Sequence, residues 1–333
     1  MARMRLLTVL TCIFAIAGMT AGGSSAEPVD IAAATQSIRL DVGTVGGTPR
    51  LTLPVTIGSR TLTVMVDTGS TGLRVMADKL DPADVTLVDP AEDYGYGSGT
   101  RLIGDIVSAT VSIGRWKTAT PIEFEQVTKT VCSKQKPNCP AANGGKPTMF
   151  GGTYDGIIGL GTNTDSGIGN PLWNLPRGIG RRCAVHYDPA GTSRLLLDVP
   201  EKGFSRALMP APESPPDAGQ QPSRPSTVEG CFEMTGLPNG KFCGPTLFDT
   251  GAPGIRIQLP PGNTAYAGPV ATGTDITLTA GQPTWSTDLR TGPDLHARID
   301  SGPGARSLAG LVVFAENDIR FDLDCGTVGF RSH

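Results

Sequence analysis

Apolar and polar residues alternate along most of the chain, which is the pattern of half-buried β-strands and not of helices. Alternation or a short apolar run occurs in LTLPVTI (51–57), TLTVMVD (61–67), DIVSATVSIG (105–114) and RLLLDV (194–199). Residues that favour turns, mainly Gly, Ser and Pro, separate many of these segments. The pattern predicts an all-β fold of many short strands.

One of these predicted strands ends on a carboxylate. Residues 64–73, VMVDTGSTGL, run from an apolar strand into Asp67 and then through a turn back into apolar sequence. A second stretch, LFDTGAPGI (247–255), repeats this shape around Asp249. One Asp-Thr-Gly is an ordinary turn sequence. Two of them, each after an apolar strand, predict two similar halves that each carry one carboxylate on a tight turn.

Two carboxylates that lie close together cannot both ionise easily, so one keeps a proton while the other is charged. Such a pair supplies a general acid and a general base at the same place. We therefore interpret Asp67 and Asp249 as candidate catalytic residues. The alternative for each is a structural Asp that only caps its turn.

A proline-rich segment divides the chain. Residues 209–226, MPAPESPPDAGQQPSRPS, contain too much Pro to pair within a sheet. We predict an N-terminal lobe over 37–200 with the first Asp-Thr-Gly, a linker or long loop over 201–230, and a C-terminal lobe over 231–333 with the second.

The N-terminus is typical of a secretory signal peptide over residues 1–26. Arg3 and Arg5 precede the apolar run 6–19, and small residues then lead to a cleavage position after Ala26. An uncleaved membrane anchor is the alternative, but the apolar run is short for a bilayer span. We expect a secreted or periplasmic monomer that has no membrane association after cleavage.

The net charge of −3 and the absence of basic clusters argue against a nucleic-acid partner. Six of the seven Cys follow the predicted signal peptide, and an even number in an exported chain predicts disulfides, with many pairings open. Short spacing favours Cys132 with Cys139 and Cys231 with Cys243, the second pair flanking a predicted hairpin turn. Elimination leaves Cys183 with Cys325. No CxxC occurs and the His residues are scattered, so we expect no metal and no cofactor.

In these motifs the chain resembles the pepsin-like aspartic proteases, and in particular bacterial members made without a prosegment. YGSGT (96–100) with the strand after it is similar to the flap hairpin of that family. DGIIGLG (155–161) and residues 308–330 are similar to its segments behind the two catalytic turns. The resemblance implies an all-β, bilobal fold with two pseudo-symmetric lobes and a cleft between them. It also implies a polypeptide substrate, hydrolysed by a water held between the two Asp.

The resemblance implies supporting roles near the dyad. The threonines brace the two turns across each other, the glycines let backbone amides approach the carboxylates, and a serine supports the outer oxygen of Asp67; these residues are Thr68, Gly69, Ser70, Thr250 and Gly251. The exposed tip of the flap closes over the substrate through Tyr96, Gly97 and Ser98.

Two positions depart from the pattern of the family. Arg74 stands where the family has a Trp that braces the flap Tyr, and Ala252 removes a hydroxyl beside Asp249. Some pepsin-fold proteins bind partners and cleave nothing, and their usual mark is a missing catalytic Asp, whereas both are present here. The alternative function is a catalytically weak or inactive binding or inhibitor protein of the same fold.

Overall fold

The computed structural model describes residues 36–45, 47–139, 141, 154–164, 167–235, 240–259, 266–301 and 306–333. The predicted signal peptide, 1–26, lies outside the described residues. Among the helices that the structure describes, none has the length and apolar character needed to cross a bilayer.

The described chain consists almost entirely of strands and turns, which confirms the predicted all-β class. In chain order the first twelve strands are β1 (Gln36–Arg39), β2 (Asp41–Val45), β3 (Thr48–Ile57), β4 (Arg60–Asp67), β5 (Thr71–Met76), β6 (Thr86–Gly95), β7 (Thr100–Ala109), β8 (Val111–Ile113), β9 (Trp116–Lys117), β10 (Ile122–Cys132), β11 (Gly156–Leu160) and β12 (Arg182–His186). The others are β13 (Arg194–Leu197), β14 (Ser205–Leu208), β15 (Val228–Met234), β16 (Lys241–Asp249), β17 (Ile255–Leu259), β18 (Gly268–Pro269), β19 (Asp275–Ala280), β20 (Trp285–Arg290), β21 (Ala297–Ser301), β22 (Ser307–Gly310), β23 (Asn317–Asp322) and β24 (Thr327–Ser332). One α-helical turn, α1 (Leu311–Phe314), and 3-10 turns at Ala77–Lys79, Pro82–Asp84, Pro171–Asn174 and Pro176–Gly178 complete the elements.

The strands form three sheets. The N-terminal sheet has the order β6-β7-β10-β5-β11-β4-β3-β8-β9, with β2 beside β3. The C-terminal sheet has the order β18-β21-β17-β22-β16-β15-β19-β20. The shared sheet, β1-β13-β12-β23-β24-β14, takes strands from both ends of the chain and so connects the two other sheets.

The two Asp-Thr-Gly turns sit in the same local arrangement. In the N-terminal sheet β11 lies between β4 and β5, parallel to β4 with Gly159 opposite Asp67. In the C-terminal sheet β22 lies between β16 and β17, parallel to β16 with Gly310 opposite Asp249. Each motif therefore ends one strand, turns and returns as a second strand, while a later segment of the chain fills the space between them.

Aromatic packing fixes the second turn to the shared sheet. Phe248, which precedes Asp249, is 1% exposed, and its ring centroid lies 4.8 Å from that of Phe330 on β24. Trp285 stacks on Phe330 at 4.7 Å and also meets Phe248 edge-on at 6.2 Å, so the three rings form one cluster. Burial of an aromatic side chain of this size contributes about 2–3 kcal/mol. The position of the second carboxylate is therefore set by core packing.

The predicted linker, 201–230, is not free of strands. Ser205–Leu208 forms the edge strand β14 of the shared sheet, and β15 begins at Val228. The proline-rich part between them, 209–227, contains no strand, as its composition predicts. It is held against the N-terminal half, since Trp173 donates its indole N–H to the Gly219 carbonyl at 3.0 Å.

Two of the three predicted disulfides are present. Cys132 pairs with Cys139 and Cys231 with Cys243, the second pair lying directly opposite each other on β15 and β16. The pairing of Cys183 with Cys325 is wrong, because Cys183 is a buried free thiol in β12. Its neighbour across to β23 is Phe321, whereas Cys325 lies beyond the end of that strand.

Candidate active site

Two threonines join the Asp-Thr-Gly turns across the middle of the molecule. The Thr68 hydroxyl donates to the Phe248 carbonyl at 2.7 Å and accepts from the Thr250 amide at 3.0 Å. In return, the Thr250 hydroxyl donates to the Val66 carbonyl at 2.8 Å and accepts from the Thr68 amide at 3.1 Å. Both threonines are buried. Because each hydroxyl is satisfied only by the other half, the four bonds hold the two turns face to face.

The two carboxylates have different hydrogen-bond partners. Asp67 accepts from the Gly69 amide at 2.8 Å and from the Ser70 hydroxyl at 2.6 Å. Asp249 accepts from the Gly251 amide at 2.7 Å. A hydroxyl that donates to a carboxylate favours its ionised form. The environment of Asp67 therefore favours a negative charge more than that of Asp249.

The pKa of Asp249 is raised well above the usual range. Burial is the largest cause, followed by the charge of Asp67 and a hydrogen bond between the two carboxyls. The amides of Gly251 and Ala252 oppose this rise without cancelling it. The cause lies in the pair, because two buried neighbouring carboxyls cannot both ionise easily.

The glycine of each motif makes room for the carboxylate of the other. A Cβ atom on Gly69 would lie 2.3 Å from Cγ of Asp249. A Cβ atom on Gly251 would lie 2.6 Å from Oδ1 of Asp67. Both distances are shorter than atomic contact allows, so only glycine permits the two turns to approach this closely.

A hairpin of β6 and β7 covers the dyad. Its turn is closed by hydrogen bonds from the Tyr96 amide to the Thr100 carbonyl and from the Gly99 amide to the Tyr96 carbonyl, at 2.8 and 2.9 Å. Gly99 has a φ of +93°, which favours glycine. Gly97 and Ser98 are exposed at the tip.

The expectation that Tyr96 is exposed at this tip is wrong. Its ring packs on a buried cluster of Met65, Leu102, Val127, Tyr154 and Ile157. Its hydroxyl is buried and has no hydrogen-bond partner among the described residues, and burial raises its pKa. Tyr96 therefore anchors the turn of the hairpin to this buried cluster.

The Cys132–Cys139 loop contacts the tip of the hairpin. Lys136 donates its ammonium to the Gly97 carbonyl at 2.6 Å, and the Ser133 amide donates to the Gly99 carbonyl at 2.7 Å. The disulfide keeps this short loop closed. It therefore limits how far the tip can move away from the N-terminal sheet.

Arg74 lies beneath the hairpin and is completely buried. Glu125 lies directly opposite it, because β5 and β10 pair in parallel with these two residues in register. The Arg74 Nε atom is 3.0 Å from Glu125 Oε2, and Nη1 donates to the Thr71 carbonyl at 2.7 Å. The guanidinium carbon lies 3.4 Å from the ring centroid of Tyr94, a cation–π contact. An ion pair and a tyrosine thus occupy the region where the resemblance implies an aromatic brace.

Glu125 is a residue that sequence reasoning missed. Burial raises its pKa to about 7, although the charge of Arg74 acts in the opposite direction. In the sequence IEFEQV it looks like a solvent-facing strand residue, but it is 0% exposed. The available signal was Arg74 itself, because an Arg within an apolar strand needs a buried acidic partner.

A cavity of 440 Å³ lies between the hairpin and the dyad. Its walls contain the predicted residues Asp67, Gly69, Ser70, Tyr96, Gly97, Ser98, Asp249 and Gly251. Thr68 and Thr250 are buried behind it. Sequence reasoning also missed the arginines of its walls, which belong to no motif: Arg50, Arg256 and Arg306.

Two of the three scattered histidines meet at the shared sheet. His186 and His333 lie 2.8 and 3.2 Å from Oδ1 of Asp318, while Arg331 binds the other carboxylate oxygen. Burial raises the pKa of Asp318, but the hydrogen bonds from His186, His333 and Arg331 together hold it well below its usual range. The carboxylate is thus fully engaged with basic side chains.

The arrangement at the dyad can deliver one acid and one base to a small molecule held between them.

No protein-family model matches this chain, and no curated protein matches it either.

Proposed function

We propose that the protein is an exported aspartic endopeptidase of the pepsin-like type, with a bilobal fold whose cleft lies between the N-terminal and C-terminal sheets. The observation that carries this proposal is the reciprocal hydrogen bonding of Thr68 and Thr250, which brings Asp67 and Asp249 together. The two threonines are 182 residues apart in the chain, and turns that served only their own strands would not need to be joined in this way.

The different surroundings of the two carboxylates suggest that one acts as the general base and the other as the general acid. Asp67, supported by Ser70, is the ionised member and takes a proton from the attacking water. Asp249 holds the proton and donates a hydrogen bond to the carbonyl oxygen as negative charge develops on it. The water attacks the peptide carbonyl directly, so no covalent intermediate with the enzyme forms.

The hairpin of β6 and β7 serves as the flap in this proposal. Gly97 and Ser98 at its exposed tip face the cavity and supply backbone groups to an extended polypeptide. Closure of such a hairpin excludes water and completes the site. Tyr96 anchors the flap from below, and the Cys132–Cys139 loop restrains it at the tip.

Export and a monomeric state belong to the same proposal. The two disulfides support export, because such bonds persist in oxidising compartments. The sequence 1–26 supplies the export signal. No nucleic acid, membrane, metal or cofactor has a role in the proposed reaction.

Titration with a pepstatin-type inhibitor, a peptide with a tetrahedral hydroxyl, tests this function. Purified mature protein is incubated with a mixed peptide library at several acidic pH values, and the cleaved bonds are identified by mass spectrometry. We expect cleavage that falls to zero at one inhibitor per protein. Neither cleavage nor inhibitor binding at any acidic pH would instead support the alternative, a binding or inhibitor protein of this fold.

A further inference from the structure

One face of the C-terminal sheet carries a row of arginines beside the dyad. Arg256 on β17 lies opposite Arg298 on β21 and opposite Leu308 on β22. Arg306 immediately precedes β22, two residues before Leu308. Arg256, Arg306 and Leu308 line the 440 Å³ cavity that contains the dyad.

A single carboxylate forms ion pairs with two of these arginines. Asp300 lies 3.5 Å from Nε of Arg256 and 2.8 Å from Nε of Arg298. Arg306 is exposed, and among the described residues no ion pair or hydrogen bond involves it. Three guanidinium groups thus lie on this face beside a single carboxylate, which pairs with only two of them, so the face is positively charged.

The walls around this face offer little further negative charge. A second cavity, of 490 Å³, continues from the first and shares Ala252, Pro253, Arg256 and Leu308 with it. Among the described residues that line the two cavities, the dyad supplies the only carboxylates. A cleft lined by charge of one sign raises the local concentration of ligands of the opposite sign.

We propose that this arginine face binds acidic side chains of the substrate, so that polypeptides with Glu or Asp close to the scissile bond are preferred. The inference rests on the proposed function for cleavage, but it concerns binding and so can be tested without turnover. Exposed charge pairs contribute modestly, which corresponds to a preference of about threefold to tenfold for Glu over Lys. Salt screens exposed charges, so the preference shrinks at high ionic strength.

The experiment compares matched peptides in which one position at a time, on each side of the cleaved bond, is Glu, Gln or Lys. At about pH 6 the Glu side chain is ionised. For at least one position we expect kcat/KM to follow Glu > Gln > Lys at low salt. Arg306→Gln should reduce the ratio of Glu to Lys to less than half. Arg290→Gln is the matched control: Arg290 is exposed on β20, pairs with Asp275 and lines neither cavity, so the ratio should stay at the wild-type value.

Binding to an Asp249→Asn variant, measured by fluorescence anisotropy with the same peptides, separates the two proposals. Preferential binding of the Glu peptide without any cleavage by the wild-type protein would overturn the proposed function and support the arginine face. Cleavage with equal rates for Glu, Gln and Lys at every position would overturn the arginine face alone. A preference that Arg306→Gln leaves intact would also overturn it.

Discussion

Arg74 and Glu125 lie opposite each other on β5 and β10 and are both completely buried beneath the β6–β7 hairpin, with 3.0 Å between Arg74 Nε and Glu125 Oε2. An ion pair in such a place has lost its hydration, and the mutual attraction does not always compensate for that loss. The raised pKa of Glu125 indicates that the cost of burial exceeds the attraction of Arg74. We therefore interpret the pair as filling the space beneath the β6–β7 hairpin more than stabilising the fold.

Replacement of Glu125 by Gln tests this interpretation. The pKa of Glu125 rises from its ordinary 4.5 to about 7 on folding, so the folded protein binds a proton more tightly than the unfolded chain. The stability from this group is full below pH 4.5 and is lost as the pH rises through about 7. We expect wild type to lose stability relative to Glu125→Gln across this window, by about 1.4 kcal/mol per unit of pKa displacement.

Urea unfolding of both proteins at several pH values measures this difference. Glu123→Gln is the control, because Glu123 is exposed on the same strand and should give no trend. A difference between wild type and Glu125→Gln that stays constant with pH would show that Glu125 is ionised throughout the range.

Two substitutions of Tyr96 should distinguish the contribution of its ring from that of its hydroxyl group. Tyr96→Ala removes a ring that packs on the buried cluster, so we expect a loss of about 2 kcal/mol in unfolding free energy together with a lower kcat. Tyr96→Phe removes only a buried hydroxyl without a partner among the described residues, and should retain the stability of the wild type. If Tyr96→Ala unfolds at the wild-type temperature, the ring does not anchor the flap.

Ala252 should set the alkaline limit of activity. Ser70 donates to Asp67, whereas Ala252 follows the second motif and has no hydroxyl to donate to Asp249. Ala252→Thr would add such a donor, favour the ionised form and lower the upper apparent pKa of the dyad. We expect the alkaline limb of kcat/KM against pH to move down by about half a unit to one unit, with a smaller change on the acid limb.

Ala252→Val controls for the added volume, because Val has the shape of Thr without the hydroxyl. Its alkaline limb should stay at the wild-type position. An equal shift in both variants would assign the effect to shape, and an unchanged or upward-shifted limb in Ala252→Thr would exclude Ala252 as the cause.

Cys183 should be chemically inert in the folded protein. Burial raises the pKa of its thiol to about 12, and the thiolate is the reactive form. Alkylation with iodoacetamide under native conditions should leave Cys183 unmodified, whereas the same treatment in denaturant should modify it. Detection of a Cys183–Cys325 peptide on non-reducing mapping would contradict the pairing in the structure.

Much of the fold was predictable because strand alternation is local. The strands over 51–57, 61–67 and 194–199 were found in β3, β4 and β13. The segment 105–114 was predicted as one strand, but β7 ends at Ala109 and β8 begins at Val111. The partners of a strand depend on the whole chain, so the sequence did not predict the shared sheet or β14.

The candidate site was predictable where a motif repeats, and unpredictable where its parts come from separate strands. Asp67 and Asp249 were identified because the same short pattern occurs twice. Glu125 lies beside Arg74 only because of the register of β10 against β5, which the sequence does not predict. The elimination argument for Cys183 failed for the same reason, since Phe321 occupies the place across the strand.

The most direct test of the central claim is the rate of peptide cleavage by Asp67→Asn and Asp249→Asn, each compared with wild type at acidic pH. Asn keeps the shape of Asp but cannot take or share the proton. The proposed mechanism predicts that each variant loses about 10³-fold or more in kcat while its circular dichroism spectrum and unfolding temperature stay close to those of wild type. Cleavage by either folded variant at the wild-type rate would contradict the assignment of these two carboxylates as the catalytic pair.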